Sequence, residues 1–261
     1  MSTAQGAVDQ TNTTALAQAR KVRFMPRPQT LSVIGFGAFG QLIARHLRPL
    51  LVLSVCDPQV RSNDLPQVDP AQAARADIVI LAVPLSQMEG VLRAIAPHLR
   101  PGAMVIDVAS VKLEPARLML DLLPSHVGII ASHPLFGPAS AADGVAGHRI
   151  AWCPLRGRGH RRLAAFLKLQ GLEVIPTTPD QHDRDMAVVQ GLTHLITRSL
   201  SRLGPLPQRM ATRSFQKLAE AAAMVQDDSP ELLATILRAN PHAEEVRARF
   251  LTEAAGIAAE A

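Results

Sequence analysis

Short, continuous runs of Val, Ile and Leu recur along this chain, and segments with helical spacing fill the gaps between them. The strand candidates are Leu31–Ile34, Leu51–Cys56, Ile78–Val83, Ala103–Val108, Val127–Ser132, His148–Cys153 and Leu172–Pro176. Unbroken apolar runs, without polar alternation, mark strands covered on both faces. The intervening helices are expected at Ala38–Leu47, Ser86–Leu99 capped by Ser86, Glu114–Leu123 and Gly159–Leu169. Strand–helix alternation of this kind predicts an α/β domain with a doubly wound, mostly parallel sheet.

At Thr177 the pattern changes. Thr178-Pro179-Asp180-Gln181 has the form of a capping box with proline at the first helical position. A long helix is expected from about Pro179 to Leu203, followed by Pro207–Val225, Pro230–Asn240 and Pro241–Ala259. Three parts result: a polar, flexible N-terminal extension over residues 1–28, a sheet domain over 29–177 and a smaller all-helical C-terminal domain over 178–261. A helical tail of that size buries little apolar surface alone, so a homodimer joined through it is expected.

Charge and composition narrow the partners. The net charge of +5 comes from scattered Arg and Lys residues, and aromatic residues make up only 3%. A stacking surface for nucleic-acid bases is hard to build from that composition. The cluster Arg156, Arg158, His160, Arg161 and Arg162 reads as a solvated face at the start of a surface helix. No apolar run approaches the roughly 20 residues that cross a bilayer, and residues 1–18 lack the apolar core of a secretory signal. Cys56 and Cys153 fall inside predicted strands and read as reduced core thiols. A cytoplasmic protein is expected, with no nucleic-acid or membrane partner and no metal.

Gly35-Phe36-Gly37-Ala38-Phe39-Gly40 follows the first strand, opens a helix and precedes a strand that ends in Asp57. In that setting Gly35 permits a tight turn, Gly37 lets the backbone approach a pyrophosphate, and Gly40 lets helix and strand pack closely. The pyrophosphate would rest on the helix N-terminus. This is the Rossmann fingerprint. Asp57 is placed to bind ribose hydroxyls and to repel a 2′-phosphate, which favours NAD, whereas Arg61 four residues on leaves NADP possible.

Two further strands end at the same edge of the sheet, where ligands bind in such folds. One ends in Ser132-His133-Pro134-Leu135-Phe136-Gly137-Pro138 and presents His133 as a titratable base toward a nicotinamide. The other ends in Asp107-Val108-Ala109-Ser110-Val111-Lys112. Ser110 either caps the next helix or presents its hydroxyl to substrate, and Lys112 is either solvated or a substrate ligand. On the long helix, Asp183, Ala187, Gln190, His194 and Thr197 share one face. The polar side chains of Gln190 and Thr197 beside His194 suggest that this face lines a cleft.

The motifs GFGAFG, VPLSQME, DVASVK, SHPLFGP and HDRDMAVVQGLTHLITRSL occur in that order. Together they resemble the prephenate/arogenate dehydrogenase family of tyrosine biosynthesis, over roughly residues 30 to 250. The likeness is greatest to the dehydrogenase half of bifunctional chorismate mutase–prephenate dehydrogenases. It implies oxidative decarboxylation with hydride transfer to NAD(P), with His133 as the base on the ring 4-hydroxyl, Ser110 assisting and His194 near the substrate. Val83 and Pro84 of VPLSQME join the implied cofactor site, and Lys112, Gln190, Thr197, Arg213 and Gln216 the implied substrate site.

Two positions depart from the family pattern. Ala139 stands where an acidic residue usually follows HPxFGP. Gln216 follows Phe215 where an arginine typically grips a substrate carboxylate, and Arg209 or Arg213 could supply that cation. A β-hydroxyacid or imine-reducing dehydrogenase shares the fold but gives no reason for SHPLFGP and HDRDMAVVQ. A non-catalytic NAD-binding regulator would not need Ser110, His133 and His194 together, while the two departures keep that reading open.

Overall fold

A computed structural model describes residues 29–260 except 208 and 227, so the expected N-terminal extension lies outside the described residues. Seven strands form one sheet: β1 (Thr30–Ile34), β2 (Val52–Cys56), β3 (Ile78–Leu81), β4 (Met104–Asp107), β5 (Gly128–Pro134), β6 (Arg149–Arg156) and β7 (Glu173–Pro176). Their order is β2-β1-β3-β4-β5-β6-β7. Strands β1 to β5 are mutually parallel, while β6 runs antiparallel to β5 and carries β7 with it.

The connecting helices are α1 (Ala38–Leu47), the single turn α2 (Pro70–Ala73), α3 (Leu85–Ile95), α4 (Leu113–Leu122) and α5 (His160–Leu169). Two apolar clusters cover the two faces of the sheet. One gathers Val79, Val105, Ile129 and Ala131 with Met88 and Leu92 of α3 and Met119 of α4. The other gathers Val33, Ile80, Ile106, Ile130 and Trp152 with residues of α1 and α5. Every residue of β5 is buried, and each fully buried aliphatic side chain contributes about 1.5–3 kcal/mol.

Beyond β7 the chain is helical. α6 (Pro179–Met186) passes through a π-helical turn (Ala187–Gly191) into α7 (Leu192–Arg202). Then come α8 (Arg213–Met224), α9 (Pro230–Ala234) with a second π turn (Thr235–Ala239), and α10 (Ala243–Glu260). The long helix expected from Pro179 to Leu203 is therefore one rod with a π bulge, a feature that reorients side chains beyond it.

Several local expectations need correction. The helix over 207–225 begins only at Arg213, capped by Thr212. Pro84, not Ser86, is the N-cap of α3, and the Ser86 hydroxyl instead meets Glu231 of α9 at 2.5 Å. Thr178 caps α6 by accepting from the Gln181 N–H, but the Gln181 side chain donates to Asp185 and the capping box stays half made. Arg156 does not belong to a solvated face. It lies on β6 and its guanidinium donates to the carbonyls of Leu123, Pro124 and Val127, just past the end of α4.

Candidate active site

The crevice opens where β1 and β3 lie side by side while their chains depart in opposite directions, toward β2 and toward β4. Gly35 has φ +94°, and a Cβ on it would stand 2.3 Å from the Ala82 carbonyl oxygen. A Cβ on Gly40 would stand 2.1 Å from the Gly35 oxygen. Packing within the protein therefore demands both glycines. Gly37 is different: a Cβ there would meet nothing within 4 Å. The open space before the α1 N-terminus, where Gly37 caps without any side-chain bond, fits a pyrophosphate approached by bare backbone. Phe36, Ala38 and Phe39 continue that loop, and Val83 and Pro84 border it at the end of β3.

Asp57, at the end of β2, accepts the Phe36 N–H at 2.6 Å and the Gln59 and Val60 N–H groups at 2.8 Å. Partial burial opposes ionisation, but the three N–H bonds outweigh it and hold the carboxyl below its usual range. An ionised carboxylate thus stands on the glycine loop.

On the adjoining side of the crevice, His133 shares the face of Ile129 and Ala131 and meets α6. Its Nδ1 lies 3.0 Å from Nε2 of His182, with the rings nearly edge-on. Nδ1 of His182 lies 2.7 Å from Oδ1 of Asp183. Asp183 is fully buried and also accepts the N–H groups of Lys112 at 2.7 Å and Leu113 at 2.9 Å. It is thereby the cap of α4, the place considered for Ser110. Asn240, at the end of the second π turn, donates to the Asp183 carbonyl at 2.7 Å.

This arrangement fixes the tautomers. A carboxylate can only accept, so the His182 Nδ1 carries the proton and its Nε2 is bare. That bare nitrogen accepts from His133 Nδ1, leaving His133 Nε2 unprotonated and free to act as a base. Burial, then the neighbouring His182, then Lys112 push the His133 pKa well below the usual imidazole value. The ring is neutral at neutral pH.

The remaining expected residues are scattered. Ser110 lies in the bend between β4 and α4, half-buried, and its hydroxyl has no hydrogen bond among the described residues. Lys112 is neither solvated nor open to a ligand: it is fully buried, and its ammonium donates to Asp107 and, at 2.6 Å, to the Ser132 carbonyl. The face through Asp183, Ala187, His194 and Thr197 is buried, not an open cleft, and Gln190 is half-buried in the π turn. Thr197 spends its hydroxyl on its own helix, donating to the Thr193 carbonyl at 2.6 Å.

His194 stands 3.7 Å from Asp228, and no contact joins it to His133 among the described residues. Burial lowers its pKa; Asp228 opposes that and Arg198 adds to it. Arg209, Arg213 and Gln216 are exposed, the last two on α8. Sequence reasoning missed His182 and Asn240 altogether and gave Asp183 no partner. The HD pair within the quoted motif was the available signal. Among the described residues no cluster has the makings of a metal site.

The sheet, its switch point and the glycine loop define a dinucleotide-binding protein with an appended helical domain. Comparison with known proteins gives its family. Two family models match, the nucleotide-binding domain of prephenate dehydrogenase over residues 60–174 and its dimerization domain over residues 178–260. The chain belongs to the prephenate dehydrogenase family, and its cofactor is NAD(P).

A protein of Methanocaldococcus jannaschii named as a probable arogenate/prephenate dehydrogenase is 30% identical over 192 residues, 69% of this chain and 43% of that protein. Arogenate dehydrogenase 2 of Arabidopsis thaliana is 28% identical over 238 residues, 82% of this chain and 65% of that protein. The aligned region spans less than two thirds of either relative. Prephenate dehydrogenase from A. aeolicus, solved with hydroxyphenyl propionate and NAD+, superposes with a TM-score of 0.71 at 18% identity, covering 88% of this chain and 89% of that one. At that identity the likeness establishes the fold.

Proposed function

We propose that this protein oxidatively decarboxylates prephenate, arogenate or both, with NAD+ as the preferred hydride acceptor. The observation that carries the reading is the His133–His182–Asp183 chain, which leaves an unprotonated imidazole nitrogen at the cofactor edge of the sheet. Gly35, Phe36, Gly37, Ala38, Phe39, Gly40, Asp57, Val83 and Pro84 would hold the dinucleotide, whose nicotinamide supplies the hydride acceptor when bound.

His133 Nε2 takes the proton of the ring 4-hydroxyl as the C4 hydride departs, giving a 4-keto ring. The ring carboxylate then leaves as CO2, its bonding pair aromatises the ring, and the phenolate oxygen recovers the proton from His133. The proton taken at Nε2 leaves the imidazole cationic, and the path through His182 to the Asp183 carboxylate stabilises that cation. Ser110, in the bend between β4 and α4, would meet the 4-hydroxyl. His194 is assigned to the substrate side on family resemblance.

Both substrates carry two carboxylates, and arogenate adds an ammonium. With Gln216 in place of a gripping arginine, we assign a site that accepts arogenate at least as well as prephenate. A homodimer through the helical domain fits the apolar side chains exposed there, among them Val188, Val189, Leu251 and Ile257.

The deciding experiment is turnover of the wild type and His133→Asn with each substrate, followed by cofactor reduction. The variant is expected to bind NAD+ normally and to lose roughly 10²–10⁴-fold in kcat. Near-normal turnover would make His133 structural and end this mechanism.

A further inference from the structure

Lys112 is the largest side chain that the fold buries completely, and no step above uses it. A buried ammonium is costly unless paired and hydrogen-bonded, and an apolar pair of equal volume often serves stability as well or better. Its surroundings give it another task. The ammonium donates to Asp107 at the end of β4 and to the carbonyl of Ser132, the residue before His133 on β5, at 2.6 Å. The main-chain N–H of the same residue donates to Asp183 on α6 at 2.7 Å. Asp107 also accepts the Ala109 N–H at 2.9 Å, in the turn that leads to Ser110. The Ser132 hydroxyl closes the circuit by donating to the Asp107 carbonyl at 2.7 Å.

One residue thus links the bend of Ser110, the strand of His133 and the helix of His182 and Asp183. We propose that Lys112 is a positioning residue, which locks together the segments presenting Ser110, His133 and the His182–Asp183 pair and so holds the His133 imidazole in its working place. The proposal rests on the reading of His133 as the base. Lys112 does not touch the reacting atoms; it acts through the Ser132 carbonyl and the Asp183 carboxylate.

Its charge has a second consequence. The titratable and charged groups around the ammonium are Asp107 from β4, His133 from β5, Cys153 from β6 and Asp183 from α6. His133 is itself faced by His182 and Lys112, and both discourage its protonation after burial has done so. Removing the ammonium makes His133 easier to protonate, so the acid limb of the activity profile moves to higher pH.

The test is the double variant Asp107→Asn/Lys112→Met, which removes both charges together and strands neither. Asparagine keeps an acceptor for the Ala109 N–H, and methionine keeps the chain length. The folded variant is expected to lose about 10–100-fold in kcat, the scale of a displaced catalytic group, with KM for NAD+ unchanged and the acid limb of kcat/KM shifted upward in pH. A pair kept only for packing would leave kcat where it was.

Wild-type kcat in the folded variant would overturn the proposal. If the double variant does not fold, Lys112→Arg decides: retained charge should hold the acid limb in place while the longer, planar head lowers kcat, and unchanged kcat would overturn the proposal. His133→Asn measured alongside separates the two failures. If it stays active, the base assignment is wrong; if it is inactive while the Lys112 variants behave as wild type, only the positioning role fails.

Discussion

Replacing His182 with phenylalanine removes the acceptor for His133 Nδ1–H and keeps a flat ring in a buried slot. His182 is 2% exposed and its Nε2 stands 3.0 Å from His133. A buried donor left without its partner costs about 1–3 kcal/mol. The preference for the tautomer with a bare Nε2 is lost by the same amount, since nothing else holds the proton on Nδ1. At 1.36 kcal/mol per tenfold, kcat should fall about 5- to 150-fold. The loss should be smaller than that of His133→Asn, because an imidazole remains.

Asp183 keeps its two backbone donors from Lys112 and Leu113, so the cap on α4 survives. The variant should therefore stay folded and bind NAD+ as before. Steady-state turnover at saturating cofactor, with a thermal unfolding scan on the same sample, measures both claims. Wild-type kcat in a folded His182→Phe protein would refute the tautomer argument, whatever the status of His133.

Three other outcomes are expected. Asp57→Ser should narrow the preference for NAD+ over NADP+, read as the ratio of the two kcat/KM values; a wild-type enzyme that prefers NADP+ would hand the role to Arg61. Gln216→Arg should improve prephenate use by no more than the ~1.5–3 kcal/mol of one charge-assisted hydrogen bond; strong wild-type selectivity for prephenate would show that another cation, Arg213 or Arg209, already serves. Acid should destabilise the protein from about pH 6.5 downward. His133 and His194 both have lowered pKa values in the fold, so below that pH the unfolded chain binds more protons, and stability falls by up to about 1.4 kcal/mol per pH unit per histidine. Urea titrations of wild type and His133→Asn across this range should show a shallower pH slope in the variant.

The centre of the sheet was legible because β1, β3, β4 and β5 are buried on both faces, and an apolar run is then a direct record of position. The outer strands β2, β6 and β7 are partly exposed, yet each overlaps an expected strand. The single turn α2 left no periodic signal in four residues, although Asp69 and Gln72 form a complete capping box around it. The two π turns were invisible because an inserted residue changes the direction of a helix face without changing its composition. Lys112 was misread for a related reason: lysine is almost never buried alone, and its counter-ion Asp107 is recognisable only once β4 and the following bend are folded.

The same limit explains the missed relay. Adjacent residues on a helix do not face each other, so His182 and Asp183 give no hint in sequence of acting together. They do so because α6 starts right after β7 and crosses the end of β5, bringing His182 onto a strand residue 49 positions earlier. Asp183 then serves two masters, capping α4 through backbone N–H groups and orienting His182 through its carboxylate. Asn240 ties the carbonyl of that same residue to the second π turn, and its own Oδ1 accepts the His242 N–H at 2.9 Å. The second π turn is thus hydrogen-bonded to the residue that sets the tautomer of the base, although another histidine of the helical domain, His194, faces Asp228 instead. Movement of α9 and α10 relative to the sheet therefore pulls on Asp183 through Asn240 and on Ser86 of α3 through Glu231.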